Sequence, residues 1–238
     1  MTHALPNLRL YLANRTWSVL TPIYILAIMT GITVVITAII GIATGLPIPD
    51  DIRHDMRFNG GAIYCIPGFL ISVGALAMNR NFSMALALGS TRRHFWIGTA
   101  LGFVITSLTL GVGSLVGLGL ERLTNHWFIG ARAFDVTPLG DGDVVQTFTT
   151  TTILALLSLF LGALFGTVFR AFGAVWTTVT AIGLGLLLAG AAAVVVASWS
   201  EVATLIGTLG PWLLLNIAAV LALLAAAGSY VVNRLATV

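Results

Sequence analysis

The chain contains no lysine; all eleven of its basic residues are arginine. A Walker-type phosphate loop is thereby excluded, because its Lys must reach the β- and γ-phosphates. Schiff-base chemistry on a lysine is excluded with it. Charge of either sign is scarce: 8% of the 238 residues are charged, against about 25% in a soluble domain. Eleven arginines and eight acids cannot coat a water-soluble globule of this size. Disordered chains are polar and highly charged, so an apolar content of 58% excludes disorder too. The arginines are scattered rather than gathered in a patch, which argues against a nucleic-acid partner. The one cysteine, Cys65, makes neither an intrachain disulfide nor a Cys-rich metal site. In its apolar surroundings it reads as a small buried hydrophobe. What remains is a polytopic membrane protein.

A membrane-spanning helix needs roughly 20 apolar residues, since about 30 Å of hydrocarbon is crossed at about 1.5 Å per residue. Six stretches of that length lack Asp, Glu, Lys and Arg: 16–49, 58–79, 94–120, 144–169, 171–200 and 202–233. Each is long enough for one span and too short for two. They are continuously apolar without strict alternation, which argues against a membrane β-barrel. The expected fold is all-α, a single transmembrane domain over 1–238 with spans near 23–46, 62–79, 96–119, 144–169, 174–197 and 212–233. Residues 4–20 read as a separate helix lying in the headgroup layer, with Leu5, Leu8 and Leu12 on one face, Arg9 and Arg15 beside them and Trp17 at the interface. A ragged extension of the first span is the alternative. Residues 198–210 are too short to cross and read as a re-entrant hairpin or an interfacial loop.

With the N-terminus inside, the inner segments hold Arg9, Arg15, Arg80, Arg92, Arg93, Arg170 and Arg234 and no acid. The outer segments hold the other four arginines and all eight acids. This satisfies the positive-inside rule and puts both termini in the cytoplasm. Within the loops, Asp143 is placed to cap the fourth span, and Phe169–Gly173 marks a tight inner turn. Pro211 falls at an early position of the sixth span.

Catalytic chemistry is sparse. No span core carries a charge, so a proton-coupled antiporter has nothing to titrate inside the bilayer; a sodium site built from carbonyls and hydroxyls survives this argument. The four histidines (His3, His54, His94 and His126) are far apart, and no His-Glu-x-x-His run exists. Asp50, Asp51, His54 and Asp55 form a candidate metal cluster whose plainer reading is a solvated turn. Asp141 and Asp143 lack the full calcium-loop pattern. Gly-x-x-x-Gly pairs occur at Gly41/Gly45, Gly98/Gly102, Gly113/Gly117 and Gly162/Gly166. They permit close helix contacts, but 26 glycines in this length give about three such pairs by chance.

One inner segment has a recognisable design. Between Arg80 and Arg92, Phe82, Ala85, Leu86 and Gly89 recur at i, i+3, i+4 and i+7, one face of a short helix. Gly89 can end that helix in the left-handed conformation, and Ser90 or Thr91 can cap the next. Such a helix, held at the inner surface and flanked by arginines, suits a groove on a cytosolic partner; a helix lying in the lipid with snorkelling arginines is the plainer alternative.

The run Phe82-Ser83-Met84-Ala85-Leu86-Ala87-Leu88-Gly89-Ser90-Thr91-Arg92-Arg93-His94-Phe95 resembles the segment joining the second and third helices in permease subunits of bacterial ATP-binding-cassette exporters, actinobacterial ones in particular. Six spans, an elbow-like N-terminal helix and a polar outer loop between spans three and four are similar as well. The resemblance implies a bacterial plasma-membrane protein that is not itself an enzyme. It would bind no cofactor or metal of its own; ATP and Mg would sit on two separate ATPase subunits, and a second permease chain, identical or paralogous, would complete the complex. It implies that Phe82, Ser83, Ala85, Leu86, Gly89 and Ser90 form a coupling helix docked on the ATPase. Arg92 and Arg93 would anchor the third span against anionic lipid or an acidic ATPase edge. The cargo would be apolar or amphipathic, such as a drug, lipid or peptide. The rival expectations are a carrier or channel for a small neutral solute, and a structural subunit of a larger membrane complex.

Overall fold

The computed structural model describes residues 5–13, 16–45, 48–58, 61–210 and 212–235. The elements are α1 (Leu5–Ala13), a wide turn Thr16–Leu20, α2 (Thr21–Thr44), α3 (Asp50–Asp55) with a following tight turn Met56–Phe58, α4 (Gly61–Ala87), α5 (Arg92–Leu123), α6 (Val144–Ala197), α7 (Trp199–Leu209) and α8 (Trp212–Leu235). Among the described residues every element is helical and no strand occurs; helices satisfy their backbone polar groups within one segment, which suits long apolar stretches. Among the described residues four helices are long and apolar enough to cross a membrane: Ser18–Thr44, Arg92–Leu123, Val144–Ala197 and Trp212–Arg234.

The longest of these is not one rod. Gly173 takes φ 81° and ψ −175° inside α6, a conformation open to glycine and costly to other residues. This breaks α6 into two arms at the predicted inner turn. The first arm packs beside α4 and runs in the same direction: Gly162 faces Ile71, Gly166 faces Ala75, and Gly74 of α4 faces Leu159. On another side of that arm lies α8, with Gly228 against Leu164 and Asn233 bonded to Arg170. The shared core includes Leu70, Met78, Phe95, Phe103, Leu110 and Leu159, all essentially inaccessible. Buried hydroxyls such as Thr37 and Thr151 bond the carbonyl one turn back, which satisfies a polar group in an apolar setting without a partner helix.

Both described ends of the chain come to the same end of the bundle. Asn7 donates to Ser90 Oγ at 2.8 Å, and Arg92 donates to the Arg234 carbonyl at 3.2 Å.

Local signals at the helix ends hold. Gly89 has φ 79°; its N–H bonds Leu86 O at 2.9 Å, and Ser90 N–H bonds Ala85 O at 3.0 Å, the paired closure of a Schellman end. Thr91 Oγ1 accepts from His94 N–H at 3.3 Å, and Asp143 accepts from Gln146 N–H at 2.6 Å.

Three expectations are corrected. There is no separate short helix between Arg80 and Arg92: α4 continues unbroken to Ala87, because nothing before Gly89 stops it. α1 is present as a separate helix; Asn7 and Tyr11 are its buried residues, the Tyr11 ring sitting over Gly102 and bonded to Thr106 at 3.1 Å, while Leu12 is half-buried against the core and Leu5 is exposed. Residues 199–209 form a helix, not a hairpin. Cys65 is exposed on the outer face of α4 rather than buried. Arg15, Pro211 and the side chains of Trp17, Asp50, Asp51 and Arg80 lie outside the described residues.

Candidate functional site

Two polar assemblies stand out, one at each end of α5. The first joins four helices beneath the α4–α5 turn. Phe82 is only 3% exposed and meets Phe95 edge-on, centroids 5.3 Å apart. The Arg170 guanidinium lies 3.5 Å from the Phe82 ring centroid, within cation–π range. The same guanidinium donates to Met78 O on α4 at 2.6 Å and to Asn233 Oδ1 on α8 at 2.6 Å. Asn233 passes the linkage on, donating to Arg92 O at the start of α5 at 3.1 Å. Trp96 Nε1 reaches Ser229 Oγ at 2.9 Å. A planar cation with fixed forked donors can hold a backbone carbonyl, a side-chain amide and a ring at once. Arg170 therefore ties α4, α6 and α8 to one point.

The predicted docking residues divide by burial. Phe82 and Ala85 face the bundle's own core, and Leu86 is half-buried against it. Ser83, Met84, Ala87, Leu88, Gly89 and Arg93 face outward, while Ser90 and Arg92 are half-buried. Leu88 is 73% exposed at the tip of the turn. The apolar stripe read from spacing is thus real, but α5 and α6 of the same chain cover it. The surface open to a partner is the opposite side, centred on Met84 and Leu88. Beside it a cleft of about 420 Å³ runs between α1 and the turn, lined by Asn7, Leu10, Leu88, Ser90 and His94 among others.

The second assembly caps the far end of α5. Glu121 is fully buried. Its carboxylate accepts the backbone N–H groups of Ala133 (3.1 Å), Phe134 (2.8 Å) and Asp135 (3.3 Å). Asp135 Oδ2 receives both His126 Nε2 at 2.9 Å and Arg132 at 2.7 Å. Arg122 donates to Gly142 O at 2.5 Å. Ligand atoms of Glu121, His126 and Asp135 lie within 4.8 Å of one another. A guanidinium already occupies that locus, however: Arg132 and His126 share Asp135 Oδ2, and both Glu121 oxygens accept backbone N–H groups, so the group works as an internal tie for the loop. Asp141 and Asp143 serve local turns, accepting from Thr137 and Gln146, which is the plainer reading of the calcium pattern.

That tie holds strained backbone. Asn125, His126, Trp127 and Phe128 all have φ between 49° and 64°. Left-handed residues with a Cβ cost roughly 1–2 kcal/mol each, so four in succession persist only where surrounding contacts over-determine them. Ala131 N–H to His126 O (2.9 Å) and Phe128 N–H to Thr124 O (2.9 Å) are among those contacts.

Sequence reasoning missed Arg170, Asn233 and Glu121. Asn233 carries a weak signal, one of two amides (with Asn216) in an otherwise apolar helix; Glu121 and Arg170 read only as flanking charges. The chain matches no protein-family model, no curated protein and no solved structure.

Proposed function

We propose that this chain is the transmembrane subunit of an ATP-driven exporter, with six spans, both termini in the cytoplasm, and energy supplied by a separate ATPase pair. α4 and the two arms of α6 complete the six crossings, and the placement of Asn7 and Arg234 at one end of the bundle supports an even number. The observation that carries the reading is the α4–α5 turn: an exposed apolar tip on a base bonded to four helices. A push on Leu88 and Met84 is transmitted through Phe82 and Arg170 to α6 and α8, and through Asn233 to α5, instead of dissipating in a loose loop. The resemblance of residues 82–95 to the coupling segment of ATP-binding-cassette permeases names the partner such a tip would meet. The second arm of α6 supports the paired permease: it is apolar and exposed along most of its length, so it waits for lipid or another transmembrane chain. Cargo of an apolar or amphipathic kind follows from walls without charge.

The test uses the chain copurified with a candidate ATPase subunit that carries a Walker lysine. Met84→Asp with Leu88→Asp breaks copurification and abolishes cargo-stimulated ATP hydrolysis, while the thermal stability of the permease is unchanged because both side chains face outward. A complex that survives both substitutions refutes this docking surface. Gradient-driven accumulation by the chain alone in vesicles refutes the ATP-driven reading.

A further inference from the structure

We infer that the inner end of the α5–α8 seam is a binding site for the phosphate of an anionic glycerophospholipid, held by the guanidinium groups of Arg92 and Arg234. Arg92 is half-buried there and donates from Nη1 to the Arg234 carbonyl at 3.2 Å. That bond sets its guanidinium against the last turn of α8, the turn that carries the exposed Arg234 side chain. Arg170 is bonded to the preceding residue, Asn233, and the charges of Arg170 and Arg92 repel each other. Packing thus gathers three cations around residues 233–234. Little balances them. The inner segments contain no acidic residue, and the ion pairs among the described residues lie at Asp135, beyond the far end of α5. The carbonyl end of α8 offers only about half a negative charge.

The donors left over are within reach of a ligand. Arg170 is engaged with Met78 O, Asn233 and the Phe82 ring. Arg92 makes one side-chain hydrogen bond among the described residues, which leaves Nε and Nη2. Neither is a buried unpartnered atom, as Arg170 Nε is, so both open to the surroundings. Two adjacent guanidinium N–H groups form the fork that matches a phosphate. Depth names the source of that phosphate. Trp96 donates to Ser229 Oγ at 2.9 Å and its ring meets Tyr230 edge-on, centroids 5.1 Å apart, an aromatic pair of the kind that marks the membrane interface. Arg92 precedes Trp96 by one turn and Arg234 follows Tyr230 by one turn, about 6 Å at about 1.5 Å per residue. Both arginines therefore stand at headgroup level, on the seam and not at the Met84–Leu88 tip, where cationic pockets between helices take anionic headgroups. The inference rests on the chain spanning a membrane with this end inside and is independent of any ATPase.

The test is native mass spectrometry of the full chain in detergent, titrated with dioleoyl phosphatidylglycerol and with dioleoyl phosphatidylcholine. One phosphatidylglycerol is retained per chain, bound roughly tenfold or more tightly than the zwitterionic lipid, the worth of two arginines at an anionic headgroup. Arg92→Gln with Arg234→Gln brings the two lipids level. Arg234→Gln alone, at an exposed position, lowers the preference about two- to fivefold at unchanged melting temperature. Arg9→Gln removes the same charge from an exposed position on α1 and leaves the preference as it was. Excess glycerol phosphate does not displace the lipid. Equal retention of the two lipids by the unmodified chain overturns the inference, and so does displacement by glycerol phosphate, which would make this a site for free phosphate. An Arg9→Gln variant that loses as much preference as Arg234→Gln overturns it too, by reducing the effect to overall surface charge. So does a double variant that loses a candidate ATPase while keeping its phosphatidylglycerol, which would assign the arginines to a protein partner.

Discussion

The same substitution at two places on α6 should have opposite effects. A Cβ added at Gly162 would lie 2.0 Å from the Ile71 carbonyl oxygen and 2.8 Å from its carbon; at Gly166 it would lie 2.6 Å from Ala75 O. These are backbone atoms of α4 and cannot rotate away. The helices would have to part by roughly 1 Å to restore ordinary van der Waals separation. Overpacking of this kind costs about 1–3 kcal/mol per site, so Gly162→Ala with Gly166→Ala should lose about 2–5 kcal/mol, the upper part being reduced because one displacement serves both. On the second arm, Gly183, Gly185 and Gly190 have nothing within 4 Å of an added Cβ. There Gly→Ala removes only the helix penalty of glycine and gains up to about 1 kcal/mol per site. Denaturant titration of the detergent-solubilised chain, followed by circular dichroism, measures both. If the first-arm pair and the second-arm triple shift the midpoint in the same direction, the close parallel packing of α4 on α6 is wrong.

Further outcomes follow from the two polar assemblies and from α1. Arg170→Ala removes two hydrogen bonds and a ring contact and should cost roughly 2–4 kcal/mol; Arg170→Lys should recover less than half, since a single ammonium cannot fork. Thermal unfolding reads both. Glu121→Ala leaves three buried backbone N–H groups without their acceptor, a loss of about 3 kcal/mol or more, seen as new protease cleavage within 124–143. Burial pushes the Tyr11 hydroxyl up to about 12 from its ordinary 10.0, against the opposing pull of its bond to Thr106. The raised value means that folding favours the protonated phenol. Its contribution is complete below about pH 10 and disappears as pH rises through about 12. The melting temperature of the native chain should therefore fall across that window more steeply than that of Tyr11→Phe.

Composition alone pointed to a helical chain with membrane-crossing stretches: residues 171–200 and 94–120 carry no charge, and four long apolar helices among the described residues agree. The stops and caps were equally legible at Gly89, Thr91, Asp143 and Gly173, because each acts within one turn of the backbone. Spacing identified an apolar stripe through Phe82, Ala85 and Leu86. It could not say whether a cytosolic partner or the chain's own α5 and α6 covered that stripe, since both make the same periodic demand. Among the four Gly-x-x-x-Gly pairs, spacing could not single out the one that packs against α4, because glycine frequency alone generates the pattern. The meeting of Arg170 with Asn233, or of Glu121 with the amides of 133–135, depends on how separate helices and loops are set side by side. Contacts between residues distant in the chain leave no local periodicity. The sequence by itself therefore determined the long apolar helices and the stops at Gly89, Asp143 and Gly173, which act within one turn; tertiary packing decided which faces are covered and which stay open, because those contacts join residues far apart in the chain.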